Sequence, residues 1–376
     1  MVLYVLDNNF NRIGLVEGYK SFIWTKRYFT PGDFELYIPA TPEAVSMFVR
    51  DNMIMRSDDL AHAMIIERVK VDTDEENGNT ILVSGRCLKS IIHRRIVWSQ
   101  TILDTSVRLG IMKLLNENLI SPSIAARTIE NFEEGDISPG TNHVSAQFTG
   151  DNLGDAVEGI LRNNNLGYDV TVDLPTKKMY FSILEGEDRS YDQSDNSYVV
   201  FSPEFENLVS TTYTEDATEY HNVARVGGEG EGSARKFVTA GDTEVSGMDR
   251  YEMFCDQRSL STNNGEISEA DYATQLTEAG KKDLSECEVT VSYEGSVLAS
   301  RNYELGVDYN LGDVVEVINE FGMEGKSRVT EVIECLDESG RHVVPTFEAV
   351  IKETAYWCND EEDIFSDEEG RMYVFK

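Results

Sequence analysis

Gly32-Asp33-Phe34-Glu35-Leu36-Tyr37-Ile38 and Gly312-Asp313-Val314-Val315-Glu316-Val317-Ile318 repeat one pattern, about 280 residues apart. Each copy follows an aromatic residue three positions upstream, Phe29 or Tyr309. Each also precedes a hairpin pattern: Met64–Val71 with a turn at Asp74-Glu75-Glu76-Asn77-Gly78, and Arg328–Glu334 with a turn at Asp337-Glu338-Ser339-Gly340. Strand–turn–strand segments converge by chemistry alone, and Gly-Asp is common turn punctuation. The shared aromatic, strand and hairpin in the same order nevertheless predict a duplicated β-unit. The copies differ in one respect. Phe34, Leu36 and Ile38 alternate with polar residues, as in a strand with one buried face, whereas Val314, Val315 and Val317 place branched residues on both faces and predict burial on two sides.

Working outward, short β signals fill the first 98 residues: Leu3–Leu6, Ile13–Val16, Ser21–Trp24, Phe34–Ile38, Met64–Val71 and Thr80–Ser84, divided by turn residues. A helix interrupts them at Thr41–Val49, where Thr41 is placed to cap and Pro42 to open the first turn. The period then changes. Val107, Ile111, Leu114, Leu115 and Leu119 share a helical face, with Asp104 or Thr105 as cap, and Leu153, Ala156, Val157, Ile160 and Leu161 repeat the device behind Asp151. Tyr168–Val172 and Lys178–Ile183 read as a hairpin around Leu174-Pro175-Thr176-Lys177. A third helix follows Ser268 and Asp271, which form a capping box, and carries Tyr272, Leu276, Ala279 and Leu284.

The expected organisation is mainly β with α+β insertions. Residues 1–98 form a first β-barrel completed by about 198–240, 99–197 an inserted α/β domain and 241–287 a helical connector. Residues 288–352 form a second barrel and 353–376 an acidic C-terminal hairpin, in which Ile364-Phe365 pairs with Arg371–Phe375. A chain of 376 residues exceeds what one core normally supports.

Charge bounds function. With 68 acidic and 33 basic residues the net charge is −35, which disfavours any cationic grip on nucleic acid. Five scattered cysteines, Cys87, Cys255, Cys287, Cys335 and Cys358, lack a Cys-x-x-Cys pair and read as reduced thiols. No signal-peptide pattern or membrane-length apolar run is read, so a soluble chain made in the cytoplasm and not inserted in a membrane is expected.

No catalytic, cofactor-binding or metal-binding residues are assigned. His62, His93, His143, His221 and His342 show no zinc-like spacing, and no nucleophile elbow or phosphate loop is present. Cys87 lies six residues before His93 without a third group to orient the pair. The run Gly227-Gly228-Glu229-Gly230-Glu231-Gly232 carries glutamates where a phosphate cradle needs bare amides and a lysine, and reads as a mobile or tightly turned loop. Asp72–Glu76 and Asp360–Asp363 offer oxygen ligands but not the calcium-loop pattern, and read as solvated turns. Arg94-Arg95 is a local basic spot for an ion pair, intersubunit, interdomain or at the surface. Trp24 and Trp98 are expected in the core.

Several of these segments together carry a resemblance: Leu6–Gly14, Gly32–Leu36, Ser84-Gly85-Arg86, Ile91–Trp98, Gly228–Gly232 and Leu311–Val315. Over residues 3–350 the chain resembles the siphovirus tail proteins related to the baseplate hub, found in phages and prophages of Gram-positive bacteria. That resemblance implies two tail-tube-like barrels per chain. A homotrimer then presents six barrels to a hexameric tube at the distal end of the tail, with DNA passing only in transit through an acidic channel. It further implies a virion tail-tip location, with the distal tail protein, the tail tube, the tape measure protein and tip or receptor-binding proteins as partners. Two other readings stand beside it: a tail-tip module in which Trp24, Tyr28, Phe29 and Tyr37 stack on a host glycan or contact a host protein, and a cell-wall hydrolase component, for which no catalytic pair is found.

Overall fold

Alternating apolar residues need a partner surface for each strand, and the chain supplies it mostly from itself. In the computed structural model, which describes residues 1–74, 78–262, 267–297, 303–322, 324–337 and 340–349 and three short strands between 357 and 374, most strands join one large sheet. Its order is Leu208–Asp216, Thr290–Val297, Gly340–Ala349, Glu324–Asp337, Ser21–Arg27, Asp33–Pro39, Thr80–Cys87, Asp59–Asp72, Met53–Arg56, Leu3–Leu6 and Arg12–Val16. The path is open, and no closed barrel forms among the described residues. The N-terminal and C-terminal β-regions are therefore halves of one sheet.

Both Gly-Asp strands form as expected, with the expected difference in burial. Along Asp33–Pro39 the buried positions are Phe34, Leu36 and Ile38, whereas Val314, Val315, Glu316 and Val317 are all buried. Their pairings differ too. Asp33–Pro39 lies between Ser21–Arg27 and Thr80–Cys87, the second arm of its hairpin. Val314–Ile318 instead joins Glu324–Asp337, the first arm of its own hairpin, and takes Val200–Phe201 as a parallel neighbour.

Residues 198–240 are expected to complete the first region, yet none of their strands pairs with it: Val200–Phe201 pairs with Glu316–Val317, Leu208–Asp216 runs antiparallel to Thr290–Val297, and Val223–Gly227 and Phe237–Gly241 pair with each other. Strand propensity marks these segments without naming a partner. The expected helical connector, 241–287, holds a strand as well as its helix. Three strands, Val223–Gly227, Phe237–Gly241 and Glu252–Asp256, carry helix Glu269–Ser285 on the face of Ala224, Val226, Ala240 and Cys255.

The inserted segment supplies helices α1 (Val107–Leu115) and α2 (Leu153–Arg162) and the hairpin Gly167–Asp173/Lys178–Leu184. Its core is not its own, because Leu114, Val157, Leu161 and Phe181 pack in one cluster with Leu6, Met55, Ile65 and Ile92 of the first β-region. The caps shift by a residue or two from expectation. Asn152, not Asp151, accepts from Gly154 and Asp155 at the start of α2, and Ser106, not Asp104 or Thr105, occupies the cap of α1 without a side-chain hydrogen bond. Asn152 wins because its short amide reaches two free backbone N–H groups of the first turn. Thr41 with Pro42, and Ser268 with Asp271, cap as read.

In the C-terminal segment, Ile364–Ser366 pairs with Met372–Val374 and with Trp357–Cys358. The acidic runs 360–363 and 367–369, and part of the turn at 74–78, lie outside the described residues. No helix among the described residues is long and apolar enough to cross a membrane.

Candidate functional site at the junction of the two β-regions

One strand serves both halves. Residues 324–328 of Glu324–Asp337 pair with the second Gly-Asp strand, and residues 331–336 pair with Phe22–Arg27 of strand Ser21–Arg27, the neighbour of the first Gly-Asp strand. The handover occurs over two residues: Gly312 N donates to Val329 O and Val329 N to Asp313 O (2.8 and 2.9 Å), while Tyr28 N donates to Thr330 O (2.8 Å). On the strand's other edge a β-bulge falls between Val329 and Glu331, at the same point. A bulge bends the ladder and sharpens its twist, which accommodates two partners arriving from different directions.

Tyr28 fills this junction. Its ring lies against Gly312, whose φ of +97° is open to glycine, and a methyl there would overlap the ring. Its hydroxyl donates to Leu184 O (2.9 Å) and accepts from Gly186 N (3.2 Å), so the inserted segment is fastened to the same point. Burial pushes the Tyr28 phenol up from its ordinary range, and it stays a neutral donor. The Lys89 ammonium donates to Arg27 O and Tyr28 O (2.8 and 3.0 Å) and sits 4.1 Å from the centroid of the Tyr168 ring. Its burial lowers its pKa.

Each Gly-Asp aspartate holds an arginine. Asp33 pairs with Arg27 (2.7 Å), which also pairs with Glu331 across the junction. Asp313 accepts from Arg189 Nε (2.8 Å), Glu187 N (2.9 Å) and Asn310 N (2.9 Å). The second aspartate is 3% exposed and the first 45%. A further clamp is buried between the regions: Arg56 donates to Glu334 (2.7 Å) and Asp58 (2.8 and 2.9 Å), and Arg341 adds a second cation to Glu334. Burial pulls the Arg56 pKa down, but the bonds to Asp58 and Glu334 more than offset it and hold the guanidinium charged. Burial opposes ionisation of Glu334 too, and the two arginines reverse the sign.

Beside this junction, His62 joins the first region to the insert, with Nδ1 2.7 Å from Asp59 and Nε2 2.7 Å from Asp169. Burial lowers its pKa, but the two carboxylates raise it to about 9.

Trp24 is buried, with Arg56 over its ring, and Tyr28 and Phe29 are buried. Trp98 is 56% exposed, against the expectation of a core position, and stacks under Arg127 (4.9 Å). Its two preceding neighbours divide, Val97 buried and Ile96 exposed like Trp98 itself, so apolar neighbours in sequence do not share a core. Arg94 pairs with Asp51 (3.0 Å) at the surface, and Arg95 donates to the carbonyls of Arg94 and Arg127. Cys87 accepts from Gly32 N (3.2 Å). The glycine–glutamate run is tightly turned, with positive φ at Gly230 and Gly232; Glu229 N donates to the Tyr272 hydroxyl (2.8 Å), which a side chain at Gly228 would displace. One constellation escaped the sequence reading: His93, Asp155 and Glu158, whose potential ligand atoms lie within 4.8 Å of one another.

The family described as siphovirus ReqiPepy6 Gp37-like protein matches residues 2–347. The chain belongs to this siphovirus family. Among solved structures, the tail protein of Neisseria meningitidis MC58 superposes with a TM-score of 0.56 at 12% identity, covering 92% of this chain and 96% of its own. The 43 kDa tail protein of prophage MuSo2 from Shewanella oneidensis gives 0.52 at 12% identity, with 92% and 98% covered. Prophage tail protein gp18 from Listeria monocytogenes EGD-e gives 0.52 at 12% identity, with 94% and 95% covered. At such identities the likeness is one of fold. No curated protein matches the chain. Family and fold together identify a siphovirus-type phage tail protein, as the sequence resemblance implied.

Proposed function

We propose that this siphovirus tail protein is a structural hub: a homotrimer at the distal end of the tail that matches threefold symmetry to the sixfold tail tube and surrounds the DNA exit channel. The observation that carries this reading is the shared strand Glu324–Asp337, which fixes two Gly-Asp corners in one sheet. Three chains bearing two corners each supply six related elements to a tube. Residues 1–98 and 288–352, the latter joined by 198–216, are the two tube-like regions, each completing a barrel with strands of neighbouring chains. The open sheet edges at Arg12–Val16 and Leu208–Asp216 support this, since unpaired edges invite strand addition. Residues 99–197 and the sheet-and-helix segment before 288 are attachments to that ring, and 353–376 an acidic appendage.

The chain acts by shape and interfaces, without chemistry on a substrate, and its neighbours are the distal tail protein, the tube, the tape measure protein and tip proteins. Its charge suits the channel. Carboxylates lining a passage repel DNA over roughly 8 Å at physiological salt and leave it nothing to stick to.

Native mass measurement of the chain, alone and with the tube protein, tests the reading. Three copies are expected, and a strict monomer under both conditions would overturn the ring.

A further inference from the structure

We propose that His93, Asp155 and Glu158 form a binding site for a divalent transition metal of the zinc class, tying the first β-region to the inserted segment. The three side chains come from two elements. His93 lies in the last turn of the 3-10 helix Leu88–Arg94, while Asp155 and Glu158 stand three residues apart on one face of α2. The His93 Nε2 atom is 2.8 Å from Glu158 Oε1, and Nδ1 is 3.4 Å from Asp155 Oδ1.

Three features preset this arrangement. Asn152, besides capping α2, donates through Nδ2 to His93 O (3.0 Å), so the helix start and the histidine backbone are fixed to each other. Gly154 lets the imidazole lie flat on the first helical turn, where a methyl would overlap the ring. The Tyr168 hydroxyl, from the neighbouring hairpin, donates to Glu158 Oε1 (2.6 Å) and orients that carboxylate. Outer partners of this kind hold metal ligands in position.

The donor set names the ion class. One imidazole nitrogen with two carboxylates suits zinc, cobalt or manganese better than calcium or magnesium, which favour oxygen alone. Glu158 faces Nε2 and Asp155 faces Nδ1, so bringing one imidazole nitrogen and both carboxylates to about 2.0–2.2 Å from a common centre requires the Asp155 side chain to swing toward the Nε2 edge of the ring. Asp155, 74% exposed, has room to turn, and the same opening admits water to the remaining coordination positions. Arg86 is engaged by both oxygens of Glu67 (2.8 and 2.9 Å). Two carboxylates beside one imidazole make an anionic donor set that suits a dication.

Calorimetric titration of Zn2+ into the chelator-stripped full-length chain tests the site, with Co2+ absorption as a second readout. One ion per chain is expected, along with a melting midpoint raised by a few degrees at saturation. Asp155→Asn should weaken binding at least about 10-fold while leaving the apo melting midpoint unchanged, Tyr168→Phe about 10-fold, and His93→Gln should abolish it. Because Asp155 is exposed, its variant decides the question even if His93→Gln fails to fold. Absence of stoichiometric uptake, or uptake undiminished by Asp155→Asn, overturns the proposal.

Discussion

The two Gly-Asp corners share a sequence and differ in nearly everything that surrounds it. At the first, the strand alternates between core and surface, Asp33 is half-exposed, and its neighbour is the far arm of the following hairpin. At the second, the strand is buried on both faces, Asp313 is enclosed by Arg189 and two backbone N–H groups, and its neighbour is the near arm. What the motif specifies is the corner: a glycine where backbone or ring approaches closely, and an aspartate that holds an arginine. The strand's partners are chosen elsewhere, by which apolar surfaces remain to be covered. The corners also touch, since Tyr28, four residues before Gly32, packs on Gly312.

The contrast can be broken most severely at the clamp between the regions. Glu334→Ala leaves Arg56 without its buried partner and should cost about 3–5 kcal/mol, read by denaturant unfolding. Next comes the pair of aspartates. Asp313→Ala removes an arginine partner and leaves two backbone donors unsatisfied, costing about 2–4 kcal/mol, whereas Asp33→Ala should cost under about 1 kcal/mol. Equal losses would mean that burial does not distinguish the corners.

A smaller effect tests how the insert is fastened. The His62 pKa is raised on folding, so its contribution is fully present below about pH 6.5 and is lost as pH rises through about 9. The melting midpoint of the wild-type chain should fall over that window, and that of His62→Gln should fall less. Smallest of all is Trp98→Ala, which removes one exposed stacking contact with Arg127 and should cost about 1 kcal/mol or less.

Local features were legible in the sequence. Thr41-Pro42 and Ser268-Asp271 announce helix starts because their chemistry acts within four residues, and the 168–183 hairpin shows itself by alternation around a turn. The unequal burial of the Gly-Asp strands was legible for the same reason. The junction was not, because the pairing of Phe22–Arg27 with Glu331–Leu336 spans some three hundred residues and rests on backbone hydrogen bonds that any sequence can make. Trp98 was misplaced because apolar neighbours in a chain need not share a side of the core. The group of His93, Asp155 and Glu158 has no spacing signature, since its histidine and carboxylates meet only through the docking of α2 on the turn before it.

Most direct for the account as a whole is an electron cryomicroscopy reconstruction of the chain assembled with its tail tube. Three chains should form one ring, with the first and second β-regions alternating at six related positions beneath the tube and carboxylates facing the lumen. A ring with six chains, or with only one of the two regions meeting the tube, would contradict it.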